Sequence, residues 1–583
     1  MNKSVFIALV SLVVGALRAN VPVTVVPVTA KNGMVVAAHP QATAVGVAVL
    51  KAGGNAIDAA VATSLALGVA EPYGSGLGGK LMLLYFEAKT GRTFAVDAMD
   101  AAGSVDVASY LKRPEDDRSY GYGSVCVPGL AAGLWAAHEK WGSRPWADDV
   151  RPAIALARSG VTILPKTREF FVEQEKKLRR GDLEIARLYL PGGRLPDVDE
   201  SLRNEDLART MEILAEKGRA GFYRGPVAAA IVAASERGGG ALTLDDFARY
   251  EARITEPVSI AFCGHTLMCA PPPASGAALI FPILKVLESE TFGGGPLRTA
   301  VNLDKIGRVW RIVSPAVSLT IADVPESRFL FEKLMAPDSI AAIRAKAFGP
   351  PEKQKKVAKT DGGRIVEFPG TDESERLAVR AESAFAESAM AATTHFIVVD
   401  RAGNIVCATQ SQSLHFGAGV VPPGTGIVMN DSMSNFTFID DKSINCVAPG
   451  KRSRSTISPT IVLRNGRPDF AIGIPGSARI PTALLQVLFD RLTLHRPLAE
   501  AIGDTRVHYS LPFRSDDKEA FEAEMSFPHA DSEALQKLGW RVNLPEKAGG
   551  GHHFGGINAV QFNADGTLIG YADPRRSNVA AGF

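Results

Sequence analysis

Hydroxyl side chains and glycines that could take part in catalysis are concentrated in the last third of the chain. They are Thr393, Thr394 and His395, then Thr409, Ser411, Ser413, Ser455, Thr456 and Ser458, and the GIPGS segment from Gly473 to Ser477. A hydroxyl becomes a nucleophile when a base lies within reach. A threonine pair before a strand also fits β propensity or capping. The GxSxG and Walker A motifs are absent, so spacing alone predicts neither a familiar triad nor a phosphate loop.

Cysteine and histidine give weaker signals. The five cysteines are Cys126, Cys263, Cys269, Cys407 and Cys446. An odd number leaves at least one free thiol, and five in this length is not a disulfide framework. Cys263 and Cys269 either form a bridge or are small buried residues on a strand-rich stretch. His552 and His553 form the single histidine cluster, and further ligands for a metal are not identifiable there. We expect no metal and no cofactor.

The first third of the chain contains a glycine-rich loop between a helical and a strand-like region. Ala42 to Ala70 is split by Gly53 and Gly54, and Asn55 is suited to cap a helix over 56–70. Residues 71–80 (EPYGSGLGGK) then precede an expected strand pair, 81–86 and 93–97. The loop formally matches GxGxxG, but a dinucleotide fingerprint needs a strand before it and a helix after it. The order here is reversed, so we expect no nucleotide site.

The remaining chain changes character at a charged segment. Residues 130–345 have a mainly helical pattern, and residues 349–376 are rich in charge, proline and glycine, which indicates an exposed linker extending to about residue 392. Strands are expected at 395–400 and 405–409, and further hairpins around Asn465-Gly466 and Asp565-Gly566. The length of 583 residues would ordinarily predict about four domains.

The N-terminus and the overall charge bear on location and partners. Lys3 precedes an apolar run from Val5 to Leu17, and Ala16 and Ala19 offer small residues for a cleavage site. This pattern predicts a signal peptide over 1–19 and a secreted or periplasmic protein without a stable membrane span, the alternative being an uncleaved anchor. Lys plus Arg number 64 against 62 Asp plus Glu. Because a near-neutral chain has no strong field for a polyanion, nucleic acid is not expected as a partner.

A set of short motifs, in order and at consistent spacing, identifies a family. The motifs are Gly53 to Ala60 (GGNAIDAA), Ser75 to Gly79, Val127-Pro128-Gly129 with Gly133-Leu134-Trp135, Gly221-Phe222-Tyr223, Pro271-Pro272-Pro273 with Ser275-Gly276, Thr393-Thr394-His395, Ser458-Pro459-Thr460 and Asp573-Pro574-Arg575-Arg576. Across essentially the whole chain after the leader, the sequence resembles the gamma-glutamyltranspeptidase (glutathione hydrolase) family of N-terminal-nucleophile hydrolases.

The resemblance implies a fold and a mechanism. The fold would be α+β, an αββα sandwich formed jointly by two chains, 20–392 and 393–583, after self-cleavage between Ala392 and Thr393. Thr393 would be the nucleophile, and its freed α-amine, with an ordinary pKa of about 7.7–8.0, would be its own general base. Ser411 would support the nucleophile, in place of the usual threonine. Backbone N–H groups of Gly476 and Ser477 would stabilise the oxyanion.

The positions that hold the substrate depart from the family pattern. Ser455 and Thr456 fall where a serine pair holds the substrate α-carboxylate. The family's asparagine, glutamine and aspartate near the α-amine fall on Ser413, Ser432 and Asn435, and the carboxylate-binding arginine falls on Met99. Methionine cannot make a bidentate, charge-assisted contact.

Three functions therefore stay open. The first is cleavage of γ-glutamyl amides such as glutathione, with hydrolysis favoured over transfer. The second is a glutaryl or cephalosporin acylase of the same family, acting on acyl groups without an amino-acid head. A non-catalytic exported binding protein is the alternative from another class. In either enzyme the partner is a small-molecule amide.

Overall fold

The computed structural model describes residues 23–114, 117–292, 297–349, 391–438, 441–510, 520–544 and 553–583. The predicted leader, most of the predicted linker and His552 lie outside these ranges. Within them, no helix is long and apolar enough to cross a membrane.

The strands of the described chain form two large sheets and two small ones. In chain order they are β1 (Pro27–Ala30), β2 (Met34–Ala37), β3 (Lys80–Glu87), β4 (Arg92–Ala98), β5 (Val161–Thr162), β6 (Ser201–Leu202), β7 (Arg253–Thr255), β8 (Val258–Phe262), β9 (His265–Cys269), β10 (Ala391–Val399), β11 (Ile405–Leu414), β12 (Thr460–Arg464), β13 (Arg467–Gly473), β14 (Val507–Ser510), β15 (Ala520–Ala523), β16 (Arg541–Asn543), β17 (Asn558–Phe562), β18 (Leu568–Ala572) and β19 (Val579–Gly582). The first sheet has the order β19-β2-β10-β11-β3-β4-β7 and the second β1-β18-β17-β13-β12-β9-β8.

The helices of the described chain lie mainly before residue 349. They are α1 (Pro40–Lys51), α2 (Ala56–Ala70), α3 (Val107–Leu111), α4 (Leu130–Trp141), α5 (Trp146–Ser159), α6 (Pro165–Glu173), α7 (Glu175–Arg180), α8 (Leu183–Tyr189), α9 (Glu205–Tyr223), α10 (Pro226–Arg237), α11 (Leu244–Arg249), α12 (Gly276–Leu287), α13 (Ala300–Thr320), α14 (Glu326–Leu334), α15 (Pro337–Phe348), α16 (Arg479–Leu492), α17 (Leu498–Gly503) and α18 (His529–Lys537).

Three apolar cores separate four layers. One core lies between the first sheet and helices that include α1, α2, α5 and α9. A second joins the inner faces of the two sheets, with Ile397 and Cys407 against Ile461 and Val560. The third lies between the second sheet and helices that include α12, α13 and α16. Because each sheet buries both faces, the order is helix, sheet, sheet, helix. The predicted αββα sandwich is confirmed.

Helix α2 shows how local sequence places its layer. Asn55 accepts hydrogen bonds from the N–H groups of Ile57 and Asp58, as its predicted role as a cap requires, and it also forms a capping box with Asp58. The helix is rich in alanine and almost completely buried. A Cβ at Gly46 of α1 would lie 2.2 Å from Thr63 Oγ1, so small residues allow the two helices to cross closely.

The predicted turns and thiols also agree with the structure. β3 and β4 pair as an antiparallel hairpin, and hairpins β12–β13 and β17–β18 turn at Asn465-Gly466 and Asp565-Gly566. All five cysteines lie in described residues and are free thiols. Cys269 is buried on β9, whereas Cys263 lies at the β8–β9 turn and is only partly buried.

Candidate active site

Thr393 lies at an irregularity in strand β10. The pairing of β10 with β11 shifts register between Ala392 and Thr393, and Thr393 is then opposite Ser411. Its Oγ1 donates a hydrogen bond of 2.7 Å to the carbonyl oxygen of Ala392 and lies 3.1 Å from Ser411 Oγ. Ser411 Oγ also donates to the Ala392 oxygen. The 392–393 peptide carbonyl is therefore held by two hydroxyl groups, one of which is attached to the adjacent residue.

Buried charged groups fix the main chain around Thr393. Thr394 Oγ1 donates to Glu71 Oε2 at 2.7 Å, and Tyr73 donates to Glu71 Oε1 at 2.6 Å. Arg576 donates to the Thr393 carbonyl oxygen at 3.0 Å. Burial is the dominant influence on Glu71 and raises its pKa, against the opposing effects of Tyr73, Thr394 and Arg576. This network leaves the Thr393 hydroxyl facing Ser411.

His395 is the nearest histidine in sequence, but it is not suited to be a base. Its side chain is fully buried, and burial lowers its pKa to about 3. Nδ1 lies 2.8 Å from Thr409 Oγ1. Its ring contacts Gly473 so closely that a Cβ there would lie 2.2 Å from the ring. Since Gly473 is both the last residue of β13 and the first of the GIPGS segment, this contact brings the Thr393 strand and that segment together across the two sheets.

The predicted oxyanion turn precedes helix α16. Gly476 has φ +144° and Ser477 has φ +54°, a left-handed conformation that is uncommon for serine. Backbone N–H groups before a helix are suited to bind negative charge. Thr456 Oγ1 donates to the Ser477 carbonyl oxygen at 2.8 Å. The Ser455 carbonyl oxygen accepts from Ser275 N at 2.7 Å. Thr456 therefore braces the turn, and Ser455 is held by Ser275.

Ser413, Ser432 and Asn435 come together around a lysine. Lys80 Nζ donates to Ser413 Oγ at 2.7 Å and to Ser432 Oγ at 2.8 Å. Asn435 Nδ2 donates to Ser413 Oγ at 2.9 Å. Asp100 lies 3.6 Å from the ammonium and accepts from Ser432 at 2.5 Å. Burial raises the Asp100 pKa to about 7, although Lys80 and Ser432 act in the opposite direction.

Met99 lies beside this cluster in sequence but not in its contacts. Its side chain is fully buried in the apolar core of the second sheet. Its N–H donates to Asp97 Oδ1 at 3.1 Å, and its carbonyl oxygen accepts from Tyr250 at 2.7 Å. The neighbouring Asp100 is the residue that contacts Lys80.

Sequence reasoning did not assign a role to Lys80, Asp100, Glu71 or Arg576. For Lys80 a signal exists, because a lysine opens an otherwise apolar strand, KLMLLYF, whose residues 80–86 are all buried. A charge at such a position needs partners. Its two close hydroxyl partners, however, lie more than 300 residues away in sequence.

One group of possible metal ligands occurs in the described ranges, at Asp58, His138 and Asp149. It lies between helices α2, α4 and α5, and it includes none of the residues around Thr393. Arg144 Nε lies 3.4 Å from Asp149 Oδ1, so a guanidinium already supplies positive charge there.

Comparisons with known proteins agree with this geometry. The sequence profile of the family described as Gamma-glutamyltranspeptidase matches residues 42–583. The chain belongs to this family. An acylase ACY 1 proenzyme of Pseudomonas sp. (strain SE83) is 31% identical, with 94% of this chain and 92% of the relative covered. A glutathione hydrolase proenzyme of Bacillus subtilis (strain 168) is 30% identical, with 95% and 92% covered.

A solved structure leads to the same family. The crystal structure of a cephalosporin acylase from Bacillus halodurans superposes with a TM-score of 0.81 at 26% identity, covering 96% of this chain and 97% of that one. The predictions that this chain is a member of the gamma-glutamyltranspeptidase family, and an enzyme, are confirmed. Relatives with hydrolase names and relatives with acylase names both occur in the family.

Proposed function

We propose that the protein is a self-processing amidohydrolase that cleaves small acyl amides through an ester on Thr393. The observation that carries this proposal is the position of the Thr393 hydroxyl, 2.7 Å from the Ala392 oxygen and 3.1 Å from Ser411 Oγ. In processing, Thr393 Oγ1 attacks the Ala392 carbonyl carbon, its proton passes to the departing nitrogen, and an ester replaces the peptide. Water hydrolyses the ester and leaves Thr393 with a free α-amine.

The same hydroxyl then acts on a substrate amide. The α-amine takes the proton as Oγ1 attacks the substrate carbonyl, and the amine product departs with that proton. Water, activated by the amine, hydrolyses the acyl ester and restores the hydroxyl. An α-amine with a pKa of about 7.7–8.0 is suited to this role near neutral pH. His395 is not, because its pKa of about 3 makes it a very weak base.

Negative charge on each tetrahedral intermediate needs preorganised donors. We assign this role to the backbone N–H groups of Gly476 and Ser477, and the proposal is supported by their position in the turn before α16 and by the hydrogen bond from Thr456 to the Ser477 carbonyl oxygen. One such donor contributes roughly 3–4 kcal/mol to stabilisation of the transition state.

Two substrate classes follow from the family. γ-Glutamyl amides, such as glutathione, are supported by the hydrolase relatives. Acyl amides without an amino-acid head are supported by the acylase relatives and by the absence of an arginine at Met99. In both cases we expect hydrolysis to exceed transfer. We further propose an exported precursor, its leader being 1–19, that yields chains 20–392 and 393–583.

The test is the intact mass of the purified protein together with amide hydrolysis. We expect two chains, the smaller beginning at Thr393, and turnover of a γ-glutamyl or glutaryl anilide. Thr393→Ala should remain one chain without turnover. Thr90→Ala is the matched control, because Thr90 lies exposed in the β3–β4 turn and should behave as wild type. Processing or turnover by Thr393→Ala would disprove the mechanism.

A further inference from the structure

Lys80 places a buried positive charge beside the catalytic hydroxyls. The side chain is 1% exposed, and its ammonium contacts Ser413 Oγ at 2.7 Å, Ser432 Oγ at 2.8 Å and Ser453 Oγ at 3.4 Å. Among the described residues, Asp100 is the one carboxylate within salt-bridge distance of the ammonium, at 3.6 Å. The three N–H donors of this buried ammonium are therefore directed at neutral hydroxyls, and a single carboxylate faces its charge.

The cluster around Lys80 offers donors rather than free carboxylates. Asn435 presents its amide N–H to Ser413 Oγ. Asp100 already accepts from Ser432 and faces the ammonium. Asp431, the acidic residue that precedes Ser432 in sequence, accepts from Leu414 N at 2.9 Å and from Ser434 Oγ at 3.3 Å. A negatively charged ligand group would meet donors here, whereas an ammonium would meet another ammonium.

The register of β10 and β11 connects this cluster to the acyl side of the cleaved bond. Ala392 is opposite Ser413, and Ser413 N donates to Ser411 Oγ at 3.0 Å. Lys80 is itself opposite Ser411 on the other side of β11. An acyl group on Thr393 Oγ1 replaces the Ala392 carbonyl, so its chain extends along Ser413 toward the Lys80 ammonium.

We propose that Lys80 is the specificity-determining residue of this site and that it selects acyl groups ending in a carboxylate, that is, monoamides of short dicarboxylic acids. The inference rests on the proposed amidohydrolase function and names its substrate class. The carboxylate would take the place of the long Ser453 contact and form a charge-assisted hydrogen bond with the ammonium. An α-amino group on the same chain is disfavoured by repulsion from Lys80 and because Asp100 and Asp431, the carboxylates described around this cluster, already accept hydrogen bonds.

The test compares three anilides with five-carbon acyl groups: glutaryl, with a terminal carboxylate; pentanoyl, with a methyl group there; and γ-glutamyl, with both carboxylate and ammonium. For the wild type we expect kcat/KM for glutaryl to exceed that for pentanoyl by roughly 10- to 100-fold. In Lys80→Met this ratio should fall to about one, mainly through a rise in KM for the glutaryl anilide. Lys80→Arg should keep part of the preference.

A purely structural lysine would give a different result. Lys80→Met would then lower kcat/KM equally for all three anilides and leave their ratios unchanged, which would overturn the proposal. Lys305→Met is the control, because Lys305 on α13 donates to Thr291 O, and α13 packs on the second sheet whereas β11 lies in the first; it should leave every ratio unchanged.

Asn435→Asp gives a second measurement if Lys80→Met fails to fold or to process. Asn435 is only partly buried, and its side-chain amide donates to Ser413 Oγ. A carboxylate there would pair with Lys80, so the glutaryl to pentanoyl ratio should fall at least tenfold and the γ-glutamyl to glutaryl ratio should rise. An unchanged pair of ratios would overturn the proposal. The proposed function fails separately, if the wild type neither processes nor hydrolyses any of the three anilides.

Discussion

At the scale of single residues, the site depends on two hydroxyls that share one carbonyl. Thr393 and Ser411 are direct partners in the β10–β11 register, and both donate to the Ala392 oxygen. Ser411 also accepts from Ser413 N, which orients its proton toward that oxygen. A donor on a carbonyl oxygen makes the carbon more electrophilic. We therefore expect Ser411 to support both the proposed processing and turnover.

Replacing Ser411 tests this role. Ser411→Ala should slow appearance of the 393–583 chain and lower kcat for anilide hydrolysis, each by roughly 10- to 100-fold, the effect of one hydrogen bond to a charged or reacting group. Ser411→Thr should retain most of both rates. The measurements are time-resolved intact mass and steady-state kinetics. Ser318→Ala, whose hydroxyl bonds within α13, is the control, and wild-type rates in Ser411→Ala would contradict the assignment.

The residues of the candidate site that were predicted from sequence differ from those that were not in how far along the chain their contacts lie. Thr393, Ser411 and the 476–477 turn were predicted, because the family resemblance assigns a role to each of these positions. Lys80 was missed as a site residue, because its contacts with Ser413 and Ser432 span more than 300 residues and depend on the pairing of β3 with β11. Composition and periodicity specify that β3 is buried, but not which strand lies beside it.

At the scale of elements, local rules predicted boundaries well where a cap defines them. The Asn55 cap and the glycine break before α2 were read from adjacent residues and are present in the structure. The cap of α1 was not predicted. It is His39, whose Nδ1 accepts from Gln41 N at 3.2 Å, and histidine is not among the strongly preferred capping residues. The His39 ring is also buried, which sequence alone does not show, and this burial affects how stability depends on pH.

His39 should make stability depend on pH. Burial lowers its pKa from 6.5 to about 4, so between these values the unfolded chain binds a proton that the folded chain does not. The contribution of His39 to the free energy of unfolding therefore falls as pH drops from 6.5 to 4, by up to about 3 kcal/mol. His39→Asn keeps a capping acceptor without this titration. In the uncleaved Thr393→Ala background, its urea midpoint should fall less between pH 6.5 and 4.5 than that of the parent. An equal fall would contradict the expectation.

At the scale of the whole molecule, chain length was a poor guide to organisation. The length suggested about four domains, whereas the described residues form one sandwich around three cores. The proposed division at Thr393 crosses both large sheets rather than separating two bodies. In the first sheet β2 lies between β19 and β10, and in the second β12 lies between β13 and β9. Neither proposed chain can complete a sheet without the other.

This interleaving predicts that the two chains stay together after cleavage. Five strand pairs join residues before 393 to residues after it: β2 with β10, β2 with β19, β3 with β11, β9 with β12 and β1 with β18. Dissociation would open both sheets and expose all three cores, as in an obligate complex. The processed protein should therefore elute from size exclusion at the volume of uncleaved Thr393→Ala.

The composition of that size-exclusion peak tests whether the two chains stay together. A denaturing gel of the fraction should show two chains in equal amounts, and activity should follow the peak. Urea should separate the chains only at concentrations that also remove the near-ultraviolet circular dichroism of the packed core, since association and folding bury the same surfaces. Elution of a folded, separate chain 393–583 in native buffer would contradict the prediction, because strands β10 to β13 would then have to be stable without β2, β3 and β9 beside them.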